Sequence, residues 1–466
     1  MSGLHAQPKE KPKQVIAELD DLFTEHGIPL IGKNQHVVLQ IADHHNSASA
    51  LPASLPTASG KALKGKPQLR FEGGEHTAIG DSTLLRFVKD APAIPASQVE
   101  LHLPNGLALT YGQVIALGGD FYGIPDQPIS EGATGVDRIQ RFTNAFNSLA
   151  VLPAANAEAK LILGVMQKEI AAIKQAIKDG KQPHEAYDAL GDTLSEEWNR
   201  ITGGGSFVSA LFPLGRYLKL AANNADHFAE WALLAYIAGH TAAVQHAVLA
   251  HASGDEKQLE QAYAMNAFAD HYLTDLFSAG HLRVPRKQLA AVVTPSDLGS
   301  LITRFMHDED SKFGLNVRNG NGDQWRAYGD KRYFDAIDSA NRTQVNQAVQ
   351  VSADEVFAAY LSGIAPSAVN FGALKKMPDL QAVLNPTGNF SPLFKVEGNK
   401  VLRRKDVNNL NDTAKSAAPG LASKTACPCS STSARAIGKP FDSNSSGAPF
   451  SDWPEASSSF NLIVIF

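Results

Sequence analysis

Apolar residues recur at i, i+3 and i+4 through residues 135–151, 155–179, 183–200, 225–252, 256–279, 296–312 and 343–363, with few breakers inside any of them. This spacing predicts helices with one buried face or, where apolar residues run all round, wholly buried ones. Pro213, Pro285 and Pro295 fall between segments, as helix boundaries require. Ahead of the helices, residues 84–119 carry LLRFV, VELHL and LALTYGQVIAL, the last with helical spacing after Thr110 as N-cap. The run HVVLQIAD reads as a strand and residues 385–400 as a small hairpin. The fold class is therefore mainly α, with a small β-containing or irregular N-terminal arm.

Composition sets the outer limits. The 466 residues are 44% hydrophobic and 19% charged, enough to bury a large core. Residues 1–70 form an arm and linker ending in a Ser/Ala/Pro-rich and then a Lys/Gly-rich stretch, residues 71–370 a helical domain and 371–412 a small extension. Residues 413–466 form a low-complexity tail rich in Ser, Ala, Gly and Pro, whose composition predicts disorder or loose attachment. Nothing accounts for its apolar end, NLIVIF. A net charge of −5 argues against a basic nucleic-acid-binding surface, so no stable nucleic-acid partner is expected. Cys427 and Cys429, the only cysteines, form a CxC too tight for an ordinary bridge and leave the compartment open. No run approaches a membrane span, and MSGLHAQPKEKPKQ lacks the apolar core of a secretory signal. The expectation is secretion by a route without an N-terminal signal peptide, or else a cytoplasmic protein.

The chemistry concentrates in NAFADHYLTDLFSAGH, residues 266–281. On a helix His271 and Asp275, at i and i+4, reach the same point; Gly280 is expected to end that helix in a left-handed turn, and His281 follows at once. Phe268, Leu273, Leu276 and Phe277 make the segment apolar nearly all round, and a carboxylate buried among them must be paired or metal-bound. SDLGSLITRFMHDEDSKFG ends in His307, Asp308, Glu309 and Asp310. Asp310 lies only some 60° round the helix from His307, which suits an N/O ligand pair for zinc, with Asp308 as the substitute. His227 opens a third helix after a possible cap at Asn224, while His240, His246 and His251 farther along read as structural. FEGGEHTAIGD places His76 after a glycine pair, and TYGQVIALGGDFYG releases Asp120 at the edge of the core.

Taken together, His-x3-Asp-x5-His followed by a second His with a nearby acid resembles the zinc-dependent phospholipase C family of bacteria, relatives of the S1/P1 nucleases. The resemblance is to the branch of pseudomonads and legionellae, whose members carry segments like EHTAIGD, LALGDFYG, a GH-containing helix after DHF, and HDED followed by GLNV. It spans roughly residues 71–335 and implies a multi-helix phospholipase C/P1-nuclease-like domain with two to three Zn2+ ions per chain. By that resemblance Asp120, His227, His271 and Asp275 hold the first zinc, His281 and His307 with an acid of the HDED run the second, and His76 with bridging Asp275 the third. The family's better-known members place a Glu four residues after the second-site His, where this chain has Ser311, so the acid is taken as Asp310. Secreted relatives also use an N-terminal Trp at the third zinc; this chain has none near His76, which leaves Glu75, a water or a weakly occupied site.

The implied reaction is hydrolysis of a phosphatidylcholine-type lipid to diacylglycerol and phosphocholine by a zinc-activated water, with Asp120 orienting or deprotonating that water. The partner is then a phospholipid membrane surface. Phe121 and Tyr122 stand where relatives place an aromatic against the choline headgroup, with core packing as the competing reading. The alternatives are a single-strand nuclease or nucleotidase with the same metals, and a non-enzymatic membrane- or host-binding helical protein.

Overall fold

The computed structural model describes residues 73–190, 193–205, 214–223, 225–293, 296–384, 388–398, 400–404 and 409–410, with the strands Ile28–Pro29 and His36–Ile41. These residues are mainly helical and fall into two compact units. The larger unit holds residues 73–283 and 310–384; the smaller holds the two early strands, residues 284–309 and the described residues after 388. Residues 284–309 thus group with the chain's ends, although they lie inside the stretch the sequence assigns to one helical domain. The tail from 413, with Cys427 and Cys429, lies outside the described residues, as does Asn224.

The core of the larger unit is a packing of three helices, Ala229–Ser253, Glu256–Asp275 and Ser339–Ser362, flanked by Gly135–Ala150. Local chemistry fixes where they begin. The Thr134 hydroxyl accepts from the Asp137 N–H, Asp255 caps Lys257, and Thr110 forms a full capping box with Gln113 ahead of Tyr111–Leu117. Phe268 receives Phe142 and Phe146 edge-on, with ring centroids at 5.7 and 5.9 Å, so two helices share one aromatic contact. Such pairs add about 0.5–1.5 kcal/mol beyond their buried area. Ala229–Ser253 is long and apolar enough to cross a membrane, yet 78% of its most apolar window is buried within the protein, as befits a core helix. Among the described residues no other single helix passes that test.

The predicted helices recur with small changes of boundary. Within residues 183–200 the described helices are Pro183–Leu190 and Thr193–Ile201. Residues 256–279 stop at Asp275. The N–H groups of Leu276, Phe277 and Ser278 then bond back three residues to the carbonyls of 273, 274 and 275. These tight bonds satisfy the helix end, so no left-handed glycine is needed, and Gly280 lies inside a short helix, Ala279–Leu282. In the smaller unit the strand read from HVVLQIAD is present as His36–Ile41. It pairs antiparallel with Ile28–Pro29 and parallel with Lys400–Arg403, which closes a hairpin with Phe394–Glu397.

Candidate metal centre

His76 is positioned by a close helix crossing. Gly73–Asp81 meets Tyr111–Leu117 at Gly80 and Gly112, where a Cβ on Gly80 would lie 2.4 Å from the Gly112 Cα. Only glycine permits that approach. At the other end of Tyr111–Leu117 the chain turns through Gly119, with φ of +69°, and releases Asp120 into the interior at 1% exposure. His227 precedes Ala229–Ser253 instead of lying in its first turn. Its neighbour Asp226 anchors that segment by accepting the N–H groups of Ile129 (2.5 Å) and Ser130 (3.0 Å) and the Ser130 hydroxyl.

These elements converge on Asp275, at the last turn of Glu256–Asp275. Its Oδ2 lies 2.7 Å from His227 Nδ1 and 3.6 Å from His271 Nε2, and its Oδ1 lies 3.8 Å from His76 Nε2 and 3.7 Å from His281 Nδ1. Asp120 Oδ1 stands 3.8 Å from His271 Nε2 and 3.9 Å from His227 Nε2. Two groups of ligand atoms result, His76–His271–Asp275 and Asp120–His227–His271, sharing the His271 ring. Ligands about 2.0–2.2 Å from a tetrahedral zinc are about 3.3–3.6 Å from one another. Within the two groups the histidine–carboxylate separations, 3.6–3.9 Å, lie at or just above that range.

The imidazoles of His271 and His76 are held with their Nε2 lone pairs inward. His271 Nδ1 donates to the Ile115 carbonyl at 2.9 Å, leaving Nε2 to face the two aspartates. The Thr274 hydroxyl donates to the His271 carbonyl and therefore accepts from His76 Nδ1, at 2.9 Å, again leaving Nε2 inward. His281 Nδ1 donates to the His227 carbonyl at 2.7 Å. A ligand histidine whose second nitrogen is tied to a carbonyl or hydroxyl has its tautomer and ring plane fixed in the metal-binding form. Burial pushes the His271 imidazole well below its ordinary pKa and the His76 imidazole down as well, against the opposing charge of Asp275. For Asp275, burial opposes ionisation, but His281, His271 and His227 outweigh it and hold the carboxyl below the usual carboxylate range. An ionised Asp275 beside the His76 and His271 imidazoles, whose charged forms burial disfavours, suits a divalent cation. Gly119 makes room for them, since a Cβ there would lie 2.4 Å from His271 Cδ2 and 3.0 Å from His227 Cε1.

Six of the expected site residues, His76, Asp120, His227, His271, Asp275 and His281, are therefore brought together. Asp310, Phe121 and Tyr122 are placed differently. Asp310 is 1% exposed and gripped by Arg283, with Nη2–Oδ1 at 2.6 Å and Nε–Oδ2 at 2.9 Å, so its carboxylate serves a guanidinium. Glu309 pairs with the buried Arg404. His307 sits on Ser296–Phe313 in the smaller unit, its Nδ1 3.1 Å from Asp308 Oδ1. Phe121 and Tyr122 are fully buried: Phe121 stacks on Tyr217 at 5.1 Å and meets Trp198 edge-on, and the Tyr122 hydroxyl donates to the Ala155 carbonyl. They pack the core and present no face to a headgroup. Glu75 accepts the N–H groups of Lys331 and Tyr333 and fixes that loop against the His76 helix. His240 is structural, bonded to Asn266 and Glu355, and His251 bonds the Tyr360 carbonyl.

Two residues escaped the sequence reading. Asp270, beside His271, is wholly buried and accepts from the Tyr111 hydroxyl at 2.6 Å and the Ser352 hydroxyl at 2.7 Å; burial raises its pKa to about 7. Its place beside a ligand histidine in ADH was the available signal. Asp330, discussed below, lies in GDKR with no flanking motif. A cavity beside the cluster is lined by His76, Thr274, Ser278 and Tyr333 among others, and by the acids Glu75, Asp275, Asp330 and Asp338, with no Lys or Arg. No family model, curated protein or solved structure matches the chain.

Proposed function

We propose that the protein is a zinc-dependent phosphodiesterase of the phospholipase C type, hydrolysing phosphatidylcholine-type lipids to diacylglycerol and phosphocholine. The observation that carries this reading is Asp275 surrounded by four histidines, two of which, His227 and His271, also face Asp120. Clustered zinc ions, when bound, neutralise a phosphodiester, lower the pKa of water and stabilise the leaving oxygen. Asp120, His76, His227, His271 and Asp275 would hold them. Asp120 would accept a proton from the attacking water or orient it. The buried aromatics Phe121 and Tyr122 rigidify the turn that carries it.

The test is zinc content of the purified chain, followed by assays on phosphatidylcholine vesicles and on a single-stranded oligonucleotide. Phosphocholine release that stops on chelation and returns with zinc is expected. Mononucleotide release alone would make the protein a nuclease, and neither bound zinc nor activity regained with added zinc would leave a helical binding protein.

A further inference from the structure

We propose that Asp330 is a metal ligand, partnering His281 at a position separate from the two ligand groups that share His271; this rests on the zinc reading above. His281 spends Nδ1 on the His227 carbonyl, so the atom it offers is Nε2, on the opposite edge of the ring. That ring is 7% exposed and stacked on Phe228 at 4.8 Å and 6°, which fixes its direction. Nε2 lies 3.8 Å from Asp330 Oδ2. This is too long for a hydrogen bond and close to the edge of a ligand tetrahedron.

Asp330 is itself aimed. The Ser278 hydroxyl donates to Oδ1 at 2.7 Å, which turns Oδ2 toward His281. The next residue, Lys331, has a left-handed φ of +73° and is tied through its N–H to Glu75 Oε2 at 3.1 Å. A non-glycine residue at such a φ is strained, and the strain persists because the surroundings enforce it. A carboxylate held by a neighbouring hydroxyl and by a constrained turn, facing the lone-pair nitrogen of a buried histidine, has the makeup of a supported metal ligand. The acid that the sequence places at 310 is bound to Arg283, and Asp330 supplies the carboxylate from a different element.

The experiment is zinc stoichiometry and affinity of the full chain, by elemental analysis and chelator competition, for wild type, Asp330→Ala, Asp330→Asn, His281→Ala and the Asp330→Ala/His281→Ala double variant. Asp330→Asn keeps the shape and an acceptor for Ser278, which guards against misfolding, and circular dichroism reports helix content. The expected result is loss, or at least 100-fold weakening, of one zinc equivalent in each variant, with no further loss in the double variant. Ser278→Ala should weaken the same equivalent 10–100-fold. Wild type that binds zinc alongside Asp330 variants with undiminished stoichiometry and affinity would overturn this inference and leave the zinc reading standing. Wild type without zinc would overturn both.

Discussion

Gly119→Ala perturbs the metal centre without touching a ligand. At φ of +69° an alanine pays about 1–2 kcal/mol of backbone strain. Its Cβ would also stand 2.4 Å from His271 Cδ2, 2.6 Å from Nε2 and 3.0 Å from His227 Cε1. His271 has nowhere to go, being wholly buried and bonded to the Ile115 carbonyl at 2.9 Å. The turn must therefore shift and carry Asp120 with it. Changes to the supports of a metal ligand typically cost 10–100-fold in affinity, or about 1.4–2.7 kcal/mol. The expected outcome is zinc affinity weakened by that factor in chelator competition, with helix content preserved and the metal-free protein destabilised by about 1–2 kcal/mol. Gly164→Ala is the matched control. It lies exposed inside Pro153–Lys178, where an added methyl meets nothing within 4 Å. It should gain about 0.5–1 kcal/mol and leave zinc binding unchanged. Wild-type zinc affinity in Gly119→Ala would refute the site, because two rings that tolerate a carbon at those distances are not fixed as ligands.

Asp275→Asn should abolish zinc-dependent activity and lower zinc affinity at the His76–His271–Asp275 group while the circular dichroism spectrum stays helical; full activity would sink the assignment. Asp310→Ala should leave zinc stoichiometry intact but cost about 3–5 kcal/mol in denaturant unfolding, since it removes the carboxylate that grips the buried Arg283 guanidinium. Acid should destabilise the metal-free protein. Unfolded His76 and His271 take up protons near pH 6.5, the folded ones at lower pH, so the unfolded state binds more protons and stability falls as pH drops below about 6.5. Melting temperatures that are flat from pH 7 to 5 would contradict this. Removing residues 413–466 should change neither the melting temperature nor activity, a sequence-based expectation from a composition too poor in apolar residues to pack.

Periodicity alone disclosed most of the fold, because a long helix repeats its apolar face several times and so writes its own signal. The boundaries it missed were set by short-range bonds, such as the tight turn at 276–278 that replaces a left-handed Gly280. The centre was legible where a ligand pair shares one helix, His271 with Asp275, or follows at once, as His281 does. His76, Asp120 and His227 could be singled out only as polar residues beside glycines or at a helix start, and it took the resemblance to gather them. Helical geometry about His307 favoured Asp310, but that argument weighs only groups on one helix. It cannot see that Arg283, 27 residues earlier, reaches the same carboxylate, or that Asp330 arrives from beyond a hairpin.

Buried histidines and carboxylates can also form an ordinary hydrogen-bond network, and the same helix carries one for comparison. Around Asp270 donors and acceptors alternate: the Tyr111 hydroxyl donates to Asp270 at 2.6 Å, Ser352 at 2.7 Å, and Asn266 donates to Tyr111 at 2.6 Å and to Ser352 at 2.9 Å. Each contact has a proton to share, and the atoms close to hydrogen-bond length. One turn on, at Asp275, the pattern reverses. His76 and His271 have committed their N–H groups to Thr274 and Ile115, so the nitrogens that face Asp275 at 3.6–3.8 Å carry lone pairs. His227 Nδ1 donates to Asp275 Oδ2 at 2.7 Å, but at His76 and His271 acceptor faces acceptor in a buried space, which is unfavourable unless a cation lies between them. Protonating the imidazoles does not resolve the conflict, since burial disfavours their charged form and 3.6–3.8 Å exceeds hydrogen-bond reach. The contrast between two neighbouring polar clusters on one helix, the first closed by protons and the second closed only through His227 and open at His76 and His271, is the strongest physical reason to expect a metal at the second.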